Sequence, residues 1–509
     1  MNRLMRFVGI TISSCIIIML MCISLHSNDE KGMYSWNAQA IPLDRAIEVE
    51  WSLPRNCKFV TVTITDSEKE YVQTVDVMPP ERSYAFKEGL HGTLYTVSVE
   101  GTLRDESREK IYEKDVLYLD YDKLPDMPLL VIQTSNGEEP QYEEAVKEDE
   151  ELWGETITNN QYVNGSMTMI RNQTESPSMQ MKWKIRGNAN TVTQPKKPYK
   201  IVLDMPADLL GDGAETTGRE WVLLSNGIEL KTYLGTFLSN LCGVEWVPPM
   251  EFVNVMVNGD WKGCYILTTA VCYEAAHGRV SSSGYIFEND AYWWNENGIY
   301  FKTEEQLYQM GYTFKYPKIK KEDDPRIAQL QKYMQEVENL VLAGNSDYRD
   351  YIDEDTFVSW IMVRDILGQA DSGGSNMYLY KYDFEVNNNK SSKVKMGPLW
   401  DFDSAFEQVD EWSTSRTRDV FLFPWLVEQP SFSEAYRNKW ESISPELAKN
   451  VDKQFENLYC QQGKEIEKSW QLDEARWDRE VIPLTEQMRY ASEWFRNRAE
   501  WMDQALKEE

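Results

Sequence analysis

Asp371 and Asn376 stand five residues apart in "DSGGSNMYLY", residues 371–380, with two glycines between them and an alternating run of large residues behind. Twenty-one residues past that run stands Asp401 of "GPLWDFD", residues 397–403, where Asp401 and Asp403 close an apolar stretch. Phosphoryl transfer asks for this kind of set. One carboxylate orients the attacking hydroxyl, and oxygen ligands from a second segment hold a divalent ion against the nucleotide phosphates. A lysine on a nearby strand can brace the phosphates as a point charge. In "YKIVL" Lys200 shares a face with Val202, and the expected placement is inward with its stem packed. Each part has a plain alternative. Asp-x4-Asn pairs arise by chance, a D-x-D often caps a helix, and residues 181–203 read equally as a hairpin with Lys196 and Lys197 at a solvated basic tip. The order lysine, Asp-x4-Asn, Asp is stronger than any one part.

Those groups need two kinds of support. Residues 33–123 carry short period-two runs, "AIEVEW", "FVTVTIT" and "GTLYTVSVEG", broken by Pro, Asn and Gly, which predict a small β-sandwich. A boundary falls near residue 125 in "DYDKLPDMP". Strands then dominate to about residue 305, apart from one helical pattern in which Leu230, Leu234, Phe237, Leu238 and Leu241 share a face. From about residue 325 the pattern turns helical through "RIAQLQKYMQEVENLVLAG", "EDTFVSWIMVRDILGQ" and most of 430–509. A strand-rich half followed by a helical half, with the polar groups near the join, predicts two lobes and a ligand cleft between them.

Bulk properties narrow the partners. The formal charge of −30 repels nucleic acid and anionic lipid, and no basic run offsets it. Arg3 and Arg6 precede "FVGITISSCIIIMLMCISL", so residues 1–28 read as a cleaved secretory signal or a retained membrane anchor. Either places the rest outside the cytoplasm, with the membrane touched only through that segment. Beyond the leader, five scattered cysteines give neither a disulfide framework nor zinc spacing, and the three histidines of the whole sequence, all far apart, argue against Ser–His or zinc hydrolysis. Chemistry here would run on carboxylates and lysine. A carboxylate hydrolase of wall polymers would also use acid pairs, but it would want exposed tryptophans along a groove, whereas the 18 here fall mostly on helical faces.

Residues 128–505 resemble the spore coat protein H (CotH) kinase family through "IRGNAN" with "KKPYKI", "EWVLLSN", "VMVNGDWKGCYIL", "GYIFEND", "DSGGSNMYLYKY" and "GPLWDFDSAF". The resemblance implies an atypical, two-lobed, protein-kinase-like domain over 126–509 in an α+β chain. It implies ATP with Mg²⁺ or Mn²⁺, and transfer to Ser or Thr of envelope, spore-coat or secreted proteins. Carried over by position, Asp371 is the catalytic carboxylate, Asn376 and Asp401 hold the metal with Asp403 in reserve, and Lys200 contacts the phosphates. Arg186 and Asn188 of "IRGN" border the same pocket. Glu229 is a possible helix partner for Lys200. The chain departs from the family at Thr269, Asn226 and Lys231, where an acid, an Asp and an Arg are usual, which bears on nucleotide contacts and leaves a non-catalytic surface-assembly role open. Separately, the run entered by Gly92-Thr93-Leu94-Tyr95 resembles a fibronectin type III strand with its corner tyrosine.

Overall fold

The computed structural model describes residues 37–509, apart from 54–55, 69, 147–154, 212, 214–216, 297, 305–309, 370–372, 374–375, 385–391, 407–419 and 509. The leader expected at 1–28 lies outside the described residues. Among the described residues no helix is long and apolar enough to cross a membrane.

Period-two burial builds the first unit. Strands β1 (Ala38–Leu43), β2 (Ala46–Trp51) and β5 (Ser83–Phe86) form one sheet. Strands β3 (Cys57–Asp66), β4 (Val72–Val77), β6 (Thr93–Leu103) and β7 (Arg108–Tyr118) form the other, in the order β4-β3-β6-β7. Alternate residues Ile47, Val49, Val60, Val62, Ile64, Val97 and Val99 fill the space between. The Tyr95 hydroxyl accepts the Leu90 N–H at 3.1 Å, with the rings of Phe86 and Tyr118 edge-on around it. The unit is docked rather than loose: Leu117 and Leu119 at its end bury against Met256, Trp261 and Leu472 of the larger body.

The next strands close on themselves. Strand β8 (Leu129–Thr134) is followed by the hairpin β9 (Glu143–Val146) and β10 (Glu155–Thr158). Then come β11 (Val163–Arg171), β12 (Thr174–Glu175), β13 (Met179–Ile185), β14 (Tyr199–Asp208), β15 (Thr217–Leu224), β16 (Met250–Val257) and β17 (Asp260–Thr269). The sheet order is β12-β11-β13-β14-β15-β17-β16-β8, and β8 pairs again with β11, which makes a closed ring. Its interior holds Leu130, Ile132, Met181, Trp183, Tyr199, Ile201, Leu203, Trp221, Leu223 and Leu267. On β14 the inward set is therefore Tyr199, Ile201 and Leu203. Lys200 and Val202 lie on the outer wall, so the inward placement expected for Lys200 is corrected by one step of the pleat.

Beneath the barrel lies a five-stranded sheet, β19-β20-β18-β21-β22, from β18 (Tyr285–Asp290), β19 (Tyr300–Phe301), β20 (Gly311–Tyr316), β21 (Met377–Lys381) and β22 (Val394–Leu399). Among the described residues seven helices have eleven residues or more: α1 (Lys231–Leu241), α2 (Pro325–Leu342), α3 (Glu354–Leu367), α4 (Pro430–Ile443), α5 (Leu447–Leu458), α6 (Lys464–Trp477) and α7 (Leu484–Glu508). They build the core under the sheet's far face, with α6 also lying along β17 of the barrel. Asp324 caps α2 by accepting the Arg326 N–H, and Pro325 opens the helix. Gly368 ends α3 at φ 58°, where a β-carbon would meet the Trp494 ring at 2.6 Å. The chain is mixed α+β, and its second half is only partly helical. The β21–β22 pair is buried on both faces, with helices on one side and the barrel wall on the other, so it shows no one-sided stripe that would mark it in the sequence.

Candidate active site

The cleft has a ceiling and a floor. The ceiling is the outer wall of β13–β15, carrying Lys184, Lys200, Glu220 and Val222. The floor is the near face of the five-stranded sheet, carrying Glu288, Thr313, Lys315 and Tyr378, while Phe287, Met377 and Leu379 turn down into the helical core. Val222 from above and Tyr378 from below meet at Trp400 and Ala270. Lys200 is the direct ladder partner of Val222, which places it over this contact.

Asp401 is held by its backbone. It sits at φ 54°, a left-handed conformation that non-glycine residues adopt seldom and mostly as Asn or Asp. The fully buried Arg364 donates to its carbonyl at 2.9 Å and to that of Trp400 at 2.5 Å, and Gln369 donates to the Asp401 carbonyl at 2.9 Å. Asp401 lines a pocket together with Leu224, Thr232, Thr268, Leu399 and Trp400. Asn376 immediately precedes β21, and Met377 pairs with Leu399 near the end of β22. Asn376 and Asp401 thus leave the same end of one ladder. Asn289 of β18 also pairs with Met377, so Asp290 leaves that end too. Asp371 lies outside the described residues.

Asp403 is in acidic company. Burial first, then the charges of Asp401 and Glu229, push its carboxyl up to about 7, against the Asn226 hydrogen bond and the Lys231 charge. Asn226 donates to Asp403 Oδ1 at 2.6 Å, and the Lys231 ammonium donates to the Asp403 carbonyl. Two of the three family departures therefore grip Asp403. The third, Thr269, is buried at the end of β17. Crowded carboxylates that resist full ionisation, next to an amide, suit a divalent cation, which would relieve their repulsion. Among the described residues no three His, Cys, Asp or Glu are grouped closely enough to hold an ion on their own.

This carboxyl gives a pH dependence. A divalent ion must displace the Asp403 proton, so Mn²⁺ affinity is expected to rise as pH climbs from about 6 to 8 and then level. The stability sign is opposite. Between the ordinary 3.8 and about 7 the folded state holds a proton that the unfolded state has released, so stability of the metal-free protein falls as pH rises across that window. Isothermal titration with Mn²⁺ in the presence of ATP at stepped pH checks the first statement, and thermal melts of the metal-free protein at the same pH values check the second. A flat Mn²⁺ affinity from pH 6 to 8 would contradict both assignments.

The remaining positions are mixed. Lys200 is a quarter exposed, with its ammonium 2.5 Å from Glu220 of β15. Burial alone would raise Glu220, but Lys200 brings it below the ordinary carboxylate range. The expected partner Glu229 is not the one observed. It precedes α1 and acts on Asp403, because the ladder sets β15 beside β14 and leaves the helix start next to the 401–403 turn. Arg186 lies over the Trp400 ring at 5.5 Å, one residue from Asp401. Asn188 points elsewhere: its Oδ1 accepts from Thr156 at 2.8 Å on the far hairpin. Lys196 is not at a solvated tip. It is buried against Asp473 and the Cys264 carbonyl. Two cleft residues went unassigned in the sequence, Glu288 and Lys315, which form an ion pair at 2.6 Å. The signal for Glu288 was the E-x-D alternation in "GYIFEND", which sends Glu288 and Asp290 to one face.

Comparison with known proteins comes down to one family. No curated protein matches the chain. Among solved structures, the fibronectin type III domain of human collagen alpha-1(XX) shares 20% identity over 16% of this chain and 79% of its own, at TM-score 0.15. Titin kinase with its flanking domains shares 10% over 41% of this chain and 42% of its own, at 0.14. The twitchin kinase region from C. elegans shares 9% over 71% and 49%, at 0.16. The chain thus spans less than half the length of either kinase, and TM-scores this low establish no shared fold. The family described as "CotH kinase protein" matches residues 183–502, well over half of the sequence, and the chain belongs to that CotH kinase family.

Proposed function

We propose that the protein is an extracytoplasmic atypical kinase that transfers the γ-phosphate of ATP to Ser or Thr of envelope, spore-coat or secreted proteins. The barrel and the helical body act as its two lobes, with the β-sandwich as a docked spacer. Family membership supports a kinase-like protein. The observation that carries the site is the shared ladder end of Asn376 and Asp401, opposite Lys200 across the Val222–Trp400–Tyr378 contact. The charged leader and its apolar run support the extracytoplasmic placement, secreted or membrane-anchored.

Asp371 accepts the proton of the acceptor hydroxyl as its oxygen bonds the γ-phosphorus and the β–γ bridge breaks. Asn376 and Asp401, with Asp403 beside them, would hold Mg²⁺ or Mn²⁺. A divalent ion supplies charge neutralisation at the transferring group. Lys200 and Arg186 steady the phosphates. Incubating the purified protein with γ-labelled ATP and Mn²⁺ should label Ser or Thr, and Asp371→Asn should abolish the label. Labelling that survives this change would reject the role of Asp371. No label on any acceptor would favour the second reading, a non-catalytic surface-assembly protein, which the Thr269 departure supports.

A further inference from the structure

Lys184 of β13 stands directly opposite Lys200 of β14 in the antiparallel ladder. Both leave the barrel on its outer wall, because Trp183, Ile185, Tyr199 and Ile201 take the inward positions. Like charges directly across a ladder repel and weaken the pair. Lys318, two residues beyond β20, is the third member. Burial pushes both Lys184 and Lys318 downward, and the Lys200 charge is the next cause for each.

Counter-charge is short. Lys200 has Glu220 at 2.5 Å. The nearest partner of Lys184 is the neutral Asn160 Oδ1 at 3.3 Å, with Glu296 attracting from further off. Lys318 feels Glu220, but that carboxylate is already engaged by Lys200. In a chain of net charge −30, two opposed amines on the cleft ceiling and a third just beyond the floor strand β20 run against the rest of the molecule. The arrangement weakens the fold locally and is explained if an incoming anion supplies the missing charge.

We propose that Lys184, Lys200 and Lys318 together form a cradle for a linear chain of phosphates, with Lys184 and Lys318 as phosphate-positioning residues. Linked phosphates present several closely spaced charges, which amines on adjacent strands can meet one by one. A single phosphate meets fewer. The identity of the chain as the tail of ATP rests on the kinase reading above, whereas the anion affinity does not. Both a nucleoside triphosphate and inorganic polyphosphate carry this chemistry.

Calorimetric titration of the full chain with ATP, inorganic tripolyphosphate and orthophosphate, at low salt without divalent ions, separates these cases. Tripolyphosphate should bind at least about tenfold tighter than orthophosphate. Lys184→Met and Lys318→Met should each weaken it by roughly tenfold, the scale of one charge-assisted contact. Their melting midpoints should hold or rise, since repulsion is relieved. ATP binding tighter than tripolyphosphate identifies the nucleotide as occupant, and the reverse identifies inorganic polyphosphate. The proposal is overturned if both variants bind within twofold of the parent, if the parent binds no tripolyphosphate, or if both variants melt lower. Weakened anion binding in the variants with no transfer by the parent would sink the kinase reading and leave the cradle. Undiminished transfer with unchanged affinity would do the opposite.

Discussion

Asp401→Asn is expected to lower phosphate transfer by about 10³-fold or more while leaving the melting midpoint nearly unchanged. Electrostatic groups aimed at the transferring phosphoryl contribute on that scale when removed singly. The substitution isolates charge from shape. Asn tolerates the left-handed conformation that Asp401 adopts at φ 54°. The Arg364 and Gln369 donors hold the backbone carbonyl, which the change does not touch. Only the carboxylate is lost. Steady-state transfer with Mn²⁺ and ATP, beside a thermal melt, checks the pair of outcomes. Activity within a few-fold of the parent would remove Asp401 from the metal site.

The second large effect is on stability and lies away from the cleft. Lys196 and Asp473 are both essentially inaccessible, and they meet in an ion pair between the turn before β14 and helix α6. Asp473 Oδ2 also accepts the Cys264 N–H at 2.8 Å, and the Lys196 ammonium also donates to the Cys264 carbonyl at 2.5 Å. Gly263 makes the approach feasible: at φ 99°, a β-carbon there would stand 2.1 Å from Asp473 Oδ2. Asp473→Ala strands a buried ammonium, which is expected to destabilise the fold by about 3–5 kcal/mol. Lys196→Met combined with Asp473→Leu should recover much of that, because the solvation penalty of the lone charge disappears. Denaturant midpoints of the three proteins decide. A loss below about 1 kcal/mol in Asp473→Ala, the value of an exposed pair, would show that the contact does not anchor the barrel to the helices.

Local signals in the sequence were sound where the physics is local. The helical run quoted from residue 326 forms α2, and Leu234 and Leu238 mark the buried face of α1, much as the spacing predicts. Misplacements came from long-range pairing. Closure of the barrel joins β8 to both β16 and β11, a partnership no local pattern reveals. The pleat of β14 could be read with either Lys200 or Tyr199 inward, and only the barrel interior decides between them. Glu220 replaced Glu229 as partner of Lys200 because adjacent strands outrank an approaching helix start. Lys196 looked like part of a solvated tip because its partner, Asp473, is 277 residues away. The order of Asp371, Asn376 and Asp401 was legible. That Asp290 ends beside Asn376 follows only from the register of β18 with β21.

The account depends on the end of the β21–β22 ladder serving as a cation site for a nucleotide. Electron paramagnetic resonance of Mn²⁺ titrated into the full chain, with and without ATP, measures this directly. The predicted result is one tightly held Mn²⁺ per chain that requires ATP and disappears in Asp401→Asn. Mn²⁺ binding that ignores ATP, or that persists unchanged in Asp401→Asn, would contradict it.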